Sequence, residues 1–117
     1  MNIAASIMAN LEGGTASLDG SPLPTDGYFV GGIVSALVFP SPIRFTPDAI
    51  WNLQVFTNYL RTTVGARFVG WWTDEETGQL WIDGTTWTSN YNHAEQLCEE
   101  RGEIAFYDVA RQQEIRP

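Results

Sequence analysis

The sequence predicts an α+β fold: a ferredoxin-like βαββαβ arrangement with two helices on one face of an antiparallel four-stranded sheet. Three observations carry this expectation. Two stretches repeat apolar residues at three- and four-residue spacing between helix start and stop signals. Four others concentrate aromatic and β-branched residues between turn formers. Their order along the 117 residues is strand, helix, strand, strand, helix, strand.

Residues 1–26 read as a flexible or loosely docked N-terminal arm ahead of one α+β domain at 27–117. Gly13-Gly14, Asp19-Gly20, Pro22 and Pro24 punctuate this stretch. A short helix is expected within it at 3–11, where Ile3, Ile7, Met8 and Leu11 share a face. The first strand spans Tyr28 to Phe39. Gly31-Gly32 makes either a tight turn, which would add a fifth strand, or a bulge within one long strand. Pro40 and Pro42 end it, because proline cannot donate to a ladder.

The first domain helix starts at Thr46-Pro47-Asp48. Threonine caps, proline presets φ at the first helical position, and the aspartate complements the positive end of the dipole. Ala49, Leu53, Phe56, Leu60 and Val64 form its buried stripe, and Gly65 stops it. Residues 67–73 and 79–83, joined by Asp74-Glu75-Glu76-Thr77-Gly78, read as a β-hairpin whose second strand reaches towards Trp87. Ser89 or Asn90 caps the second helix, with Tyr91, Ala94, Leu97 and Cys98 inward and Gly102 as its stop. Residues 104–109 form the last strand, and a polar tail follows.

Composition narrows the functional classes. An apolar share of 44% is too rich for a disordered chain. No apolar run approaches the roughly 20 residues that span a bilayer, and the N-terminus lacks a basic leader, so no membrane partner is expected. The single Cys98 cannot form an internal disulfide and fits a reducing, cytoplasmic compartment. Fourteen acidic residues face six basic ones, all arginine, for a formal net charge of −8. That field repels phosphate backbones, which excludes direct nucleic-acid binding, and attracts basic protein surfaces.

No residue pattern announces chemistry. His93 has no second histidine or paired cysteine to complete a zinc site. Cys98 lies on an apolar stripe near Glu99, Glu100 and Glu103, which raise a thiol pKa rather than activate it. The acidic turn at 74–76 lacks the spacing of a calcium loop. No phosphate-binding glycine motif or nucleophile elbow is present, so no cofactor, metal or catalytic residue is assigned. An enzyme would have to draw on Asp83, Asp108 or His93, and the two aspartates, both at strand ends, would have to approach one another.

The aromatic cluster is more informative. Strand alternation puts Trp71 and Trp72 on opposite faces, so one of them points away from the helices. A tentative binding surface combines Trp71, Trp72, Trp81 and Trp87 with Asp74, Glu75, Glu76, Glu99, Glu100 and Glu103. Tryptophan is enriched at binding hot spots, and the acids suit a basic partner.

Residues 68–83, F-V-G-W-W-T-D-E-E-T-G-Q-L-W-I-D, and the stretch E-I-A-F-Y-D-V at 103–109 carry a resemblance. Together they resemble small uncharacterised proteins of actinobacteria and their phages that share a G-x-W-x-D-x-x-T-G-x-x-Y-[IV]-D hairpin, a helix and an A-[IW]-[WY]-D strand. The likeness covers roughly residues 66–115. This chain departs from it with Trp81 where tyrosine is usual and Phe106-Tyr107 where Ile-Trp is. The resemblance implies a phage or mobile-element neighbourhood, hence a host cytoplasm, and no activity.

These readings lead to a non-enzymatic, phage-type accessory protein acting by protein–protein binding. Its sharper form is an acidic, anti-defence inhibitor of a host nucleic-acid enzyme. The alternative is a small-ligand or carbohydrate-binding module using exposed tryptophans, and the third reading is a small hydrolase-like enzyme. An open sheet face or edge strand also invites a symmetric homodimer.

Overall fold

The computed structural model describes residues 2–117 and shows an α+β chain with a curled antiparallel sheet. Its elements are α1 (Ile3–Ala9), β1 (Gly13–Ser17), β2 (Tyr28–Val30), β3 (Leu37–Phe39), α2 (Pro47–Tyr59), β4 (Phe68–Thr73), β5 (Leu80–Thr88), α3 (Tyr91–Glu100), β6 (Phe106–Asp108) and β7 (Gln113–Ile115). The strand order is β1-β4-β5-β2-β6-β7, with β3 also on β5. Three helices and seven strands among the described residues replace the two helices and four strands expected. The ferredoxin-like plan therefore does not describe the whole chain.

The locally encoded elements form as their residues dictate. Thr46 Oγ1 accepts the Ala49 N–H at 3.1 Å, and Pro47 opens α2. After Tyr59 the helix widens into a π-helical turn, Leu60–Val64, which Gly65 closes at φ +77°. Asn90 Oδ1 accepts from His93 N–H at the start of α3. The β4–β5 turn closes with Gly78 at φ +72° and Asp74 N–H donating to the Gln79 carbonyl at 2.8 Å.

Three expectations are corrected. First, the N-terminal arm is built into the fold. β1 pairs with β4 from Gly13↔Trp72 to Ser17↔Phe68, and Ile3, Ala4, Ile7 and Leu18 enter the main core. Burying each large aliphatic chain is worth roughly 1.5–3 kcal/mol, enough to hold a Gly- and Pro-punctuated segment in place. Second, Gly31-Gly32 makes no hairpin turn. β2 and β3 both run antiparallel to β5, β2 along Thr86–Thr88 and β3 along Leu80–Ile82. Residues 31–36 loop out between them, the bulge alternative on a larger scale. Third, the polar tail contributes β7, which pairs with β6 from Phe106↔Ile115 to Asp108↔Gln113.

Two cores result. The larger packs α1, α2 and β3–β5 around Ile7, Leu53, Leu60, Val69, Leu80 and Ile82. The smaller sits under α3 and gathers Val30, Ala94, Cys98 and Phe106. No helix among the described residues is long and apolar enough to cross a membrane.

Candidate functional site

β5 alternates Leu80 and Ile82, buried against the α2 core, with Trp81 and Asp83, half-buried on the other face. Trp81 stands opposite Trp72 of β4, and the two indoles stack with centroids 5.9 Å apart and planes 16° from parallel. Trp72 remains 43% exposed. The looped-out residues 32–36 and the end of α3 complete an open cleft of about 450 Å³ beside this pair, into which Asp83, Arg101 and Glu103 project.

Gly31 and Gly32 explain how two carboxylates reach this place. A Cβ at Gly31 would lie 3.2 Å from Asp83 Oδ2. At Gly32, where φ is +77°, a Cβ would collide with the Glu103 carboxylate. The glycine pair thus lets both acids pack against bare backbone, and at Gly32 the left-handed φ disfavours any side chain as well.

The electrostatics are unbalanced. Burial, and then the neighbouring Glu103, push the Asp83 carboxyl up to about 6. The one cation of the cleft, Arg101, hydrogen-bonds neutral acceptors and forms no ion pair with either carboxylate. Arg101 donates through Nη1 to the Val30 and Gly31 carbonyls at 3.0 and 3.2 Å, and through Nη2 to Thr86 Oγ1 at 2.9 Å. Its pKa is lowered by burial, with Glu103 and Glu100 acting in the opposite direction. Neither Asp83 nor Glu103 joins an ion pair among the described residues. Trp81 Nε1 is also buried with no hydrogen-bond acceptor.

The remaining sequence-selected residues separate into distinct places. Trp71 is only 6% exposed: its Nε1 donates to the Asn10 carbonyl at 2.8 Å, and its ring rests on Gly14, where a Cβ would lie 2.5 Å away. It belongs to the core and presents nothing to a partner. Trp87 is half-buried and donates to the Asp26 carbonyl at 2.8 Å. Asp74 serves its own turn, accepting from Glu76 N–H and Thr77 Oγ1–H, while Glu75 and Glu76 are exposed at the hairpin tip. Glu99 and Glu100 lie exposed on α3 and do not line the cleft.

The groups considered for catalysis are not brought together. Asp108 is buried at the end of β6, where Arg111 N–H donates to its Oδ1 at 3.2 Å. It lies in the row of Tyr28 and Thr88, and Thr88 is five residues along β5 from Asp83, about 16 Å at the strand rise. His93 sits at the start of α3 with Nδ1 3.1 Å from Thr88 Oγ1. Cys98 is fully buried, donates to the Glu103 carbonyl at 3.2 Å, and has its thiol pKa raised by burial, Glu103 and Glu95. Among the described residues no three potential metal ligands cluster.

Sequence reasoning named Trp72, Trp81 and Glu103 but left Asp83 outside the binding surface and missed Arg101 altogether. The signal for Asp83 was its place two residues after Trp81 on one strand face. The chain matches no family model, no curated protein and no solved structure.

Proposed function

We propose that the protein works by binding another protein, and that the cleft beside Trp72 and Trp81 receives a basic side chain of that partner. One observation carries the reading: a stacked indole pair stands beside two carboxylates, neither of which forms an ion pair among the described residues. An indole face attracts guanidinium or ammonium by about 0.5–2 kcal/mol, and a carboxylate in a partly desolvated cleft adds a charge-assisted hydrogen bond. The net charge of −8, with no lysine, supports long-range steering of a basic surface towards the cleft. A nucleic-acid enzyme with a basic groove, from a bacterial defence system, is the sharper form of this reading. The run β2/β3–α2–β4–β5–α3–β6 we read as a split βαβ core to which α1, β1 and β7 are added.

The test is titration of arginine-rich, lysine-rich and glutamate-rich peptides against the intrinsic tryptophan fluorescence. Basic peptides are expected to bind, with affinity falling at least about tenfold, or about 1.4 kcal/mol, in Asp83→Asn/Glu103→Gln. Binding should also weaken as pH falls through about 6, where Asp83 takes up a proton. Equal binding of acidic and basic peptides, or indifference to the double substitution, would remove the reading. The same indole pair favours one alternative, a sugar ring stacked on Trp72. Quenching by neutral saccharides that survives the double substitution would support it instead.

A further inference from the structure

The cleft beside Trp72 and Trp81 constrains the shape of its ligand as well as its charge. Its lining carries three charged residues, Asp83, Arg101 and Glu103. With both carboxyls ionised, two negative charges stand against one positive, and the balance calls for one further cation. Among the described residues the Asp83 carbonyl accepts from Thr85 Oγ1–H and the Glu103 carbonyl from Cys98 Sγ–H, while neither carboxylate accepts a hydrogen bond. Four carboxylate oxygens therefore lack a protein donor in a partly desolvated place. Burial, and then the charge of Glu103, raise the Asp83 pKa, so the two acids also feel one another.

Backbone fixes where these oxygens stand. Asp83 packs against Gly31 and Glu103 against Gly32, and consecutive Cα atoms are about 3.8 Å apart. The two acids thus enter the cleft at neighbouring points, within the span of one head group. An ammonium is a compact, strongly hydrated point charge, and serving both acids would draw two like charges towards a single nitrogen. A guanidinium spreads five N–H donors over a planar fork, so its separate edges can meet separate carboxylates without displacing either. Its plane also suits the indole pair, which lies within 16° of parallel and leaves Trp72 43% exposed. Guanidinium stacks flat on such a face, which an ammonium cannot do. Arg101 does not fill this role, because its Nη donors are held by the Val30 and Gly31 carbonyls and Thr86 Oγ1.

We infer that the cleft selects arginine over lysine: one arginine side chain of the partner lies against Trp72 and donates to Asp83 and Glu103 together. This selection rests on the reading of the cleft as a site for a basic side chain, and names that side chain. Long-range attraction by the net charge of −8 acts on both residues alike, so the preference belongs to the cleft.

Four short capped peptides test it, otherwise uncharged, with arginine, lysine, citrulline or asymmetric dimethylarginine at the centre. Citrulline keeps the planar shape without the charge, and dimethylarginine keeps the charge but blocks the fork. Each is titrated into the full chain at a pH well above 6, where Asp83 is ionised, and followed by tryptophan fluorescence. Salt at about 0.15 M screens exposed charges more than about 8 Å away. Arginine is expected to bind at least about tenfold more tightly than lysine or dimethylarginine, and citrulline not to bind. Asp83→Asn and Glu103→Gln, each with unchanged circular dichroism, should each bring the arginine-to-lysine ratio within about threefold, because a single carboxylate cannot occupy both edges of the fork. Equal affinity for arginine and lysine in the parent chain would overturn the inference and leave the cleft a site for any basic side chain. A preference that persists in both variants would overturn the bridging of the two carboxylates. Failure of both arginine and lysine to bind would instead remove the underlying reading of the cleft.

Discussion

The outer faces of α2 and α3 differ in a way that separates a finished surface from an unfinished one. α3 turns Ala94 and Cys98 into the small core and shows Asn92, Glu95, Gln96, Glu99 and Glu100 to solvent. Its charged side needs nothing more than water. α2 is equally well anchored through Leu53 and, in its final turn, Leu60, but its outer side carries Trp51, Val55 and Tyr59. A helix with apolar residues on both faces belongs between two packed layers, and this chain supplies only one of them. The contrast teaches that the side of α2 that holds the core and the side left uncovered lie on opposite faces of one helix.

The sharpest way to break that comparison is to substitute the two sides of α2 in turn. Leu53→Ala should cost about 2–5 kcal/mol, through lost burial and the cavity left behind. Trp51→Ala and Val55→Ala should cost within about 0.5 kcal/mol by urea unfolding. If the outer residues cost as much as Leu53, the ridge supports the fold, and its reading as an uncovered surface fails.

A smaller effect is expected at the cleft, which resembles the outer side of α2 in holding an unmet requirement, here for charge. Asp83 titrates at about 6 in the fold against an ordinary 3.8, so the folded chain holds its proton more tightly than the unfolded chain does. That contribution favours folding below pH 3.8 and is lost as pH rises through about 6, which makes the ionised carboxylate a liability at pH 7. Asp83→Asn should therefore stabilise the protein at pH 7 by about 1 kcal/mol, after allowance for solvent screening, and by nothing below pH 4. Thermal unfolding at the two pH values measures the difference. An unchanged melting temperature at pH 7 would mean that the carboxylate is already satisfied.

The smallest effect is expected on the finished face. Glu99 lies at the C-terminal end of α3, where the helix dipole disfavours negative charge. Glu99→Gln should raise stability by about 0.3–1 kcal/mol at low salt, with the gain shrinking as salt is added. A gain indifferent to salt, or no gain, would show that Glu99 does not act through the helix dipole.

Much of the local structure was legible because its causes lie within a few residues. The Thr46-Pro47-Asp48 start, the Gly65 and Gly102 stops and the 74–78 turn each follow from the φ preference or capping capacity of the residues concerned. Alternation along β4 likewise separated Trp71 from Trp72, and the two differ sharply in exposure. The ridge on α2 was also written in the sequence at every fourth position. The inward stripe of Leu53, Phe56 and Leu60 satisfies the helical pattern by itself, so the outer one drew no notice.

Other features had no local cause to read. The N-terminal segment looks loose by composition, but β4 offers it an edge and the α2 core offers Ile3 and Ile7 a place to bury. The polar residues Gln113 and Glu114 become a strand only because β6 presents unpaired backbone groups, which bond to any residue but proline. Asp83 and Glu103, twenty residues apart, meet across Gly31-Gly32 because β2 and β3 share one side of β5 and expel the segment between them. By itself, then, the sequence determined the helix starts, the central hairpin, the alternation of the tryptophans and the acidic balance, all properties of φ, ψ and side-chain chemistry within one element. Only the tertiary structure decided which edges pair, which carboxylates are forced together and which apolar face is left uncovered, because each depends on surface supplied by a distant part of the chain.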